Sequence, residues 1–249
     1  MKHFLLVISL FYITEAYSQN LVFNEIGFSL KAEDKEMIEK LAKYEVKIFN
    51  GLFINSLNDS LRINVNLYGK NKDFRAVLAE GKMKGFTESG FYSSFTKQLH
   101  VLYLEKRDIE TILHEISHAL MHHNLQRCPR WFNEGLAEFL ESIEIGDNLN
   151  PQVYMQHHHI KYVREANQNQ ELDIYSLLMS GNEPWTHKNN LNYLYATSYG
   201  VIYYIIKKDP HLIGKMAMMM KQGKSIQYIF EVLFGGIDKF ASGFKFYYR

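Results

Sequence analysis

The 249-residue chain has one cysteine, four prolines and almost no net charge. A single thiol, Cys128, cannot close an internal disulfide. Nor can one chain with one cysteine build an all-cysteine zinc site or a mixed site using two, so any metal chemistry falls to the eleven histidines and the carboxylates. Lys and Arg total 28 against 27 Asp and Glu, a formal charge of +1, which leaves no global field to steer the protein to nucleic acid or anionic lipid. Nucleic acid is therefore not expected as a partner. The prolines, Pro129, Pro151, Pro184 and Pro210, are confined to element boundaries. No internal repeat and no Ser/Gly-rich linker divides the sequence. With 47% hydrophobic and 22% charged residues, disorder, collagen and coiled coil are excluded, and the chain is long enough to bury its own core.

The first segment reads as an address. Lys2 supplies a positive start, Phe4 to Ile13 a largely apolar run, and Ala16-Tyr17-Ser18 a small-x-small end, the pattern of a secretory signal peptide cleaved near Gln19 or Asn20. Ten such residues span about 15 Å as a helix, half of a hydrocarbon core of roughly 30 Å, so a retained anchor is the weaker alternative. No later run approaches 18 apolar residues. The expectation is a periplasmic or secreted protein with no stable membrane insertion after cleavage. Residues 1–18 form the signal and 19–249 a single domain, α+β over 19–125 and helical over 126–249.

Periodicity supplies the elements. Lys31 to Gly51 repeats apolar residues at helical spacing, and Leu61 to Tyr68 alternates as a half-buried strand. A short helix follows near Asp73 to Ala79. Gly90 to Ser94 and Gln98 to Leu104 read as strands joined by a tight turn at Phe95 to Lys97, which makes the sheet mixed with an antiparallel edge. Asp108 is a plausible N-cap for a helix to about His123. Pro129 opens another helix, predicted to run to Gly146. Further helices are expected over Val153 to Ala166, Ile174 to Met179, Tyr193 to Lys208, His211 to Gln222 and Ser225 to Phe234 or beyond.

The chemistry sits in His114-Glu115-Ile116-Ser117-His118. At 100° per residue, two histidines four positions apart lie about 40° from each other, so both imidazoles project from one helix face and can share a tetrahedral ion. Glu115 sits one step round, where a carboxylate serves as a general base without ligating the metal. Catalytic zinc takes three protein ligands. The metzincin arrangement fails, because it needs Gly at 121 and His at 124, and the chain has Met121 and Asn124. The next helix offers Trp131-Phe132-Asn133-Glu134-Gly135-Leu136-Ala137-Glu138, and a short loop lets Glu134 face the two histidines. A helix-interior glycine costs about 1 kcal/mol relative to Ala, so Gly135 implies close packing, here expected against the histidine helix. Glu138 is placed to accept the distal N–H of a ligating imidazole. Glu134, Glu138 and Glu141 have a bland alternative as a solvated acidic stripe, which for Glu141 is the preferred reading.

HEISH followed by WFNEGLAEFLE resembles the gluzincin clan of zinc metallopeptidases. The Asn-Glu-Gly-x-Ala form is closer to the alanyl-aminopeptidase branch and its small peptidase MA-like relatives than to thermolysin. The resemblance spans roughly Leu61 to Lys208. It implies a zincin-like α+β fold, Zn2+ held by His114, His118 and Glu134, Glu115 as the base, and a peptide or protein substrate. The aminopeptidases carry Gly-x-Met-Glu-Asn upstream to bind the substrate amine. Here Gly81-Lys82-Met83-Lys84-Gly85 and Glu88-Ser89-Gly90 stand instead, which speaks against aminopeptidase specificity. Tyr195, in Tyr195-Ala196-Thr197-Ser198-Tyr199-Gly200, resembles the tyrosine that bonds the oxyanion in that branch; the alternative is a packing face of Tyr195, Tyr199 and Tyr203. His187 is a further oxyanion candidate, with a surface role preferred. His157-His158-His159 reads as a solvent face, Met216 to Met220 as core, and Cys128 as an inert thiol. The functional alternative is a zinc-binding, non-hydrolytic envelope or polymer-binding module of the same fold. Glu115 argues against it, because holding a metal does not require that residue.

Overall fold

The computed structural model describes residues 21–54, 58–80, 89–147 and 149–249. The expected signal segment and Gly81 to Glu88 lie outside these. The chain divides into two compact units. The first falls within Met1–Gly51, Asn55–His123 and Leu140–Tyr154, and the second comprises Leu52–Ile54, Asn124–Phe139 and Met155–Arg249. The fold is α+β with a mixed sheet.

In the first unit, β1 (Leu21–Ile26), β2 (Ile63–Tyr68), β3 (Gly90–Ser93) and β4 (Gln98–Leu102) form a sheet in the order β1-β2-β4-β3. β1 pairs with β2 and β2 with β4 in parallel, while β3 runs antiparallel to β4 and is an edge strand. β1 is an element that the sequence reading did not assign. The alternation of β2 sends Ile63, Val65 and Leu67 to a buried face. Its other face carries Tyr68, which packs with Phe74, Leu78 and Leu102. On that same face a polar ladder crosses three strands: the Asn24 amide donates to Asn66 at 3.0 Å, and the Asn66 amide donates to Gln98 Oε1 at 3.3 Å.

The connections are α1 (Ala32–Phe53) between β1 and β2, and α2 (Asn71–Glu80) after β2. α1 continues through Gly51 rather than stopping there. A 3-10 turn over Lys106–Asp108 leads into α3 (Ile109–Asn124). Asp108 does not cap α3 as expected. Its carboxylate accepts from the backbone N–H groups of Leu104 and Glu105 at 2.6 and 2.9 Å, so it closes the preceding turn.

The helix after Pro129 also ends earlier than its sequence suggests. α4 (Arg130–Glu141) gives way to β5 (Ile143–Ile145), which pairs with β6 (Pro151–Val153) in an antiparallel hairpin. Ile-Glu-Ile is a period-two, β-branched run, and Ile143 is buried while Glu144 is exposed. The hairpin also displaces the start of the next helix from Val153 to His157.

The second unit is helical: α5 (His157–Gln168), α6 (Ile174–Met179), α7 (Lys188–Lys208), α8 (His211–Lys221), α9 (Ile226–Phe234) and α10 (Ile237–Tyr247). α7 is buried on every side from Ala196 to Ile206 and forms the centre of the unit. Its N-terminus lies ahead of the expected Tyr193. Gly135 of α4 meets this helix: a Cβ there would stand 2.5 Å from the Ser198 carbonyl oxygen and 2.8 Å from Ile202. The close approach expected of Gly135 is therefore made to α7, rather than to α3. No helix among the described residues is long and apolar enough to cross a membrane.

Candidate metal centre

Burial gives α3 its orientation. Ile112, Leu113, Ile116, Leu120 and Met121 are essentially inaccessible, whereas Thr111, His114, His118 and His122 are partly exposed and fall on one stripe at helical spacing. The two imidazoles of the motif therefore share the accessible stripe. Their rings meet edge to face with centroids 4.8 Å apart. Glu115, the intervening acid, is 5% exposed. A Cβ on Gly90 at the start of β3 would stand 3.3 Å from Glu115 Cγ and 2.7 Å from Thr111 Cγ2, so the glycine lets the sheet edge close onto this stretch of α3.

His114 Nδ1 lies 2.7 Å from Glu141 Oε2. A carboxylate accepts, so Nδ1 carries the proton and Nε2 carries the lone pair, the tautomer of a metal-ligating imidazole. Glu141 thus leaves the solvated stripe on which the sequence reading placed it: its side chain is 19% exposed and supports a candidate ligand. Beneath the motif, the fully buried Glu45 of α1 accepts from Ser117 Oγ at 2.7 Å. Burial pushes the Glu45 carboxyl well above the usual range, against smaller lowering effects from Ser117 and His114. Glu45 Oε2 has no hydrogen-bond partner among the described residues. At the far end of the stripe, Tyr92 Oη and His122 Nδ1 are 3.1 Å apart.

In the second unit, Glu134 is 6% exposed and Arg130 Nε donates to its Oε1 at 3.2 Å. The Arg130 guanidinium lies 5.0 Å from the centre of the Trp185 ring. Trp185 in turn meets Tyr195 edge to face at 5.4 Å. One turn beyond Glu134, Glu138 Oε2 lies 2.6 Å from His159 Nε2, both side chains nearly buried. His159 is therefore turned inward, contrary to the solvent face expected of the three-histidine tract. Consecutive helical residues point in different directions, and one of the three points inward. Tyr199 is buried, and its hydroxyl accepts from the Gln156 backbone N–H at 2.9 Å. His187 pairs with Glu183 at 2.6 Å with most of its side chain exposed. Burial, with a smaller contribution from Glu134, pushes the Cys128 thiol up to about 12, so it stays protonated at neutral pH.

His114 and His118 of the first unit and Glu134 of the second offer donor types that could hold a metal ion. Two imidazole nitrogens and a carboxylate oxygen make a borderline donor set suited to zinc, and the tautomer fixed by Glu141 is the one a ligand requires. The residues present fit the ion. The supporting contacts of Arg130, Glu141 and His159 escaped sequence reading. For Glu141 a signal existed, since it lies seven residues after Glu134 and so repeats its helix face two turns on.

Residues 108–224 match a family described as "Protein of unknown function (DUF1570)", a span that takes in α3 and α4 and reaches the residues after α8. No curated protein matches the chain.

Proposed function

We propose that the chain is a zinc-dependent peptidase of the zincin-like fold, exported by its N-terminal segment, with His114, His118 and Glu134 as ligands. The observation that carries this reading is the paired histidine stripe of α3, with one imidazole oriented by Glu141 and with Glu115 buried between the two. Zinc, when bound, supplies Lewis-acid polarisation of the scissile carbonyl and makes water nucleophilic near neutral pH.

The remaining work falls to the chain's own residues. Glu115 takes a proton from the attacking water on its carboxylate and returns it to the leaving amine. Its low exposure keeps the carboxylate largely out of bulk water, beside the two histidines. β3, the edge of the sheet among the described residues and at the Gly90 approach to Glu115, is where an extended peptide adds as a further strand. Tyr195 donates its phenolic O–H to the oxyanion, with Trp185 bracing its ring.

The deciding experiment compares three proteins. The purified wild type should carry about one zinc and cleave a quenched peptide library, His118→Ala should lose the metal, and Glu115→Gln should keep zinc while kcat falls about 10²- to 10⁴-fold. Full zinc in His118→Ala, or full turnover in Glu115→Gln, would overturn the reading.

A further inference from the structure

Arg130 is held in an arrangement that pairing with Glu134 does not account for. The two are joined through one N–H only, at 3.2 Å, longer than the 2.7–2.9 Å of a strong charge-assisted bond, whereas a guanidinium binds a carboxylate best through two parallel N–H groups. Its Cζ lies over the Trp185 ring, 5.0 Å from the centroid. Of its five N–H donors, the four on the terminal nitrogens have no acceptor among the described residues. The side chain is nonetheless 28% exposed, mostly withdrawn from water, and held from two directions. Rotamer freedom that an arginine normally loses on binding an anion has already been removed. A second orphaned donor lies in the same cluster: the Trp185 indole N–H is buried and has no partner among the described residues. A buried donor left unmet is costly, so an acceptor arriving here meets a site prepared for it.

We propose that Arg130 is the specificity residue of the site, and that its open guanidinium edge binds a carboxylate of the peptide substrate close to the scissile bond. The proposal rests on the peptidase reading. If Glu134 ligates a divalent ion, its negative charge is engaged there, and Arg130 remains a net cation toward the substrate. Two sources supply the same chemistry: an Asp or Glu side chain, or the C-terminal carboxylate of the peptide.

The test uses the zinc-loaded full-length protein and four N-acetylated peptides that differ only in one Glu or Gln beside the cleaved bond and in a free or amidated C-terminus. Neutralising the recognised carboxylate should lower kcat/KM at least tenfold, and which of the two changes does so identifies the source. Arg130→Gln should erase that ratio by bringing kcat/KM of the carboxylate peptides, expressed per bound zinc, down to that of the neutral peptide. If that variant loses zinc, Arg130→Lys decides: its ammonium lacks the fork, so discrimination should fall at least threefold with zinc kept. Equal cleavage of all four peptides by the wild type, or undiminished preference in the zinc-bearing variant, overturns the assignment and leaves the peptidase reading standing. Absence of any hydrolysis defeats the peptidase reading instead. Anisotropy of the same labelled peptides then judges Arg130 by binding alone: carboxylate-dependent affinity abolished in Arg130→Gln supports it, and equal affinity overturns it.

Discussion

The two helices that carry the candidate ligands reach their roles by different routes. Through the motif α3 has a single partly exposed stripe, and the histidines lie on it because the neighbouring positions are buried, mostly in apolar core. α4 has no such stripe. Trp131, Phe132, Leu136, Phe139 and Leu140 are buried alongside Glu134 and Glu138, so its acids are surrounded by core and each needs a dedicated partner: Arg130 for Glu134, His159 for Glu138. On the first helix spacing puts both imidazoles on one face, and Glu141 then orients one of them. On the second, pairing aims them, from one turn away for Glu134 and from α5 for Glu138.

The largest effect should come from the tyrosines of α7. Tyr195→Phe should cost about 3 kcal/mol of transition-state stabilisation, a fall in kcat of about 100-fold with zinc unchanged. Tyr199→Phe removes the hydroxyl that accepts from the Gln156 N–H, and should lower stability by about 0.5–1.5 kcal/mol while sparing kcat. The reverse pattern in steady-state kinetics and thermal melts would move the oxyanion donor one turn along α7.

Next is the carboxylate that orients His114. Glu141→Gln should weaken zinc binding 10- to 100-fold, as loss of such outer partners generally does. Competition with a chelator measures it, and unchanged affinity would return Glu141 to the solvated stripe.

The glycines sharpen the contrast between the two helices. Gly135→Ala drives a methyl into the Ser198 backbone and should destabilise by about 1–3 kcal/mol in chemical denaturation. Gly90→Ala meets the Thr111 methyl and the Glu115 stem, which can yield, so its effect should be mainly on kcat. Equal melting temperatures for Gly135→Ala and wild type would remove the packing argument for that glycine.

The smallest effect concerns Glu45. Its folded carboxyl titrates above the unfolded value, so the folded state binds the extra proton, and stability falls as pH rises from the ordinary carboxylate range through the folded pKa. Glu45→Gln should match wild type at acid pH and melt higher at pH 8. A constant difference across that range would mean that Glu45 does not carry this linkage.

Much of the first unit was legible because its cues are local. The period-two run of β2, the β3–β4 turn and the i, i+4 histidines depend on residues within a few positions of one another. The β5–β6 hairpin was missed because Glu141-Ser142-Ile143 continues a good helical pattern, and only pairing with Pro151–Val153 ends it. The same limit hid the acceptor of His114. Glu141 is one of three acids on a helix, and although it repeats the face of Glu134, nothing within α4 says which acid meets His114.

The sequence by itself determined which residue types could do chemistry: one thiol excluded cysteine zinc sites, and the HEISH spacing placed two imidazoles on one face of a helix whatever surrounds it. Only the tertiary structure decided which acid supports which histidine, that Gly135 accommodates α7, that His159 turns inward, and that Arg130 is braced on Trp185. Helical spacing is a property of the backbone and travels with the sequence. Burial and pairing depend on segments tens of residues away, which become neighbours only when the chain has folded.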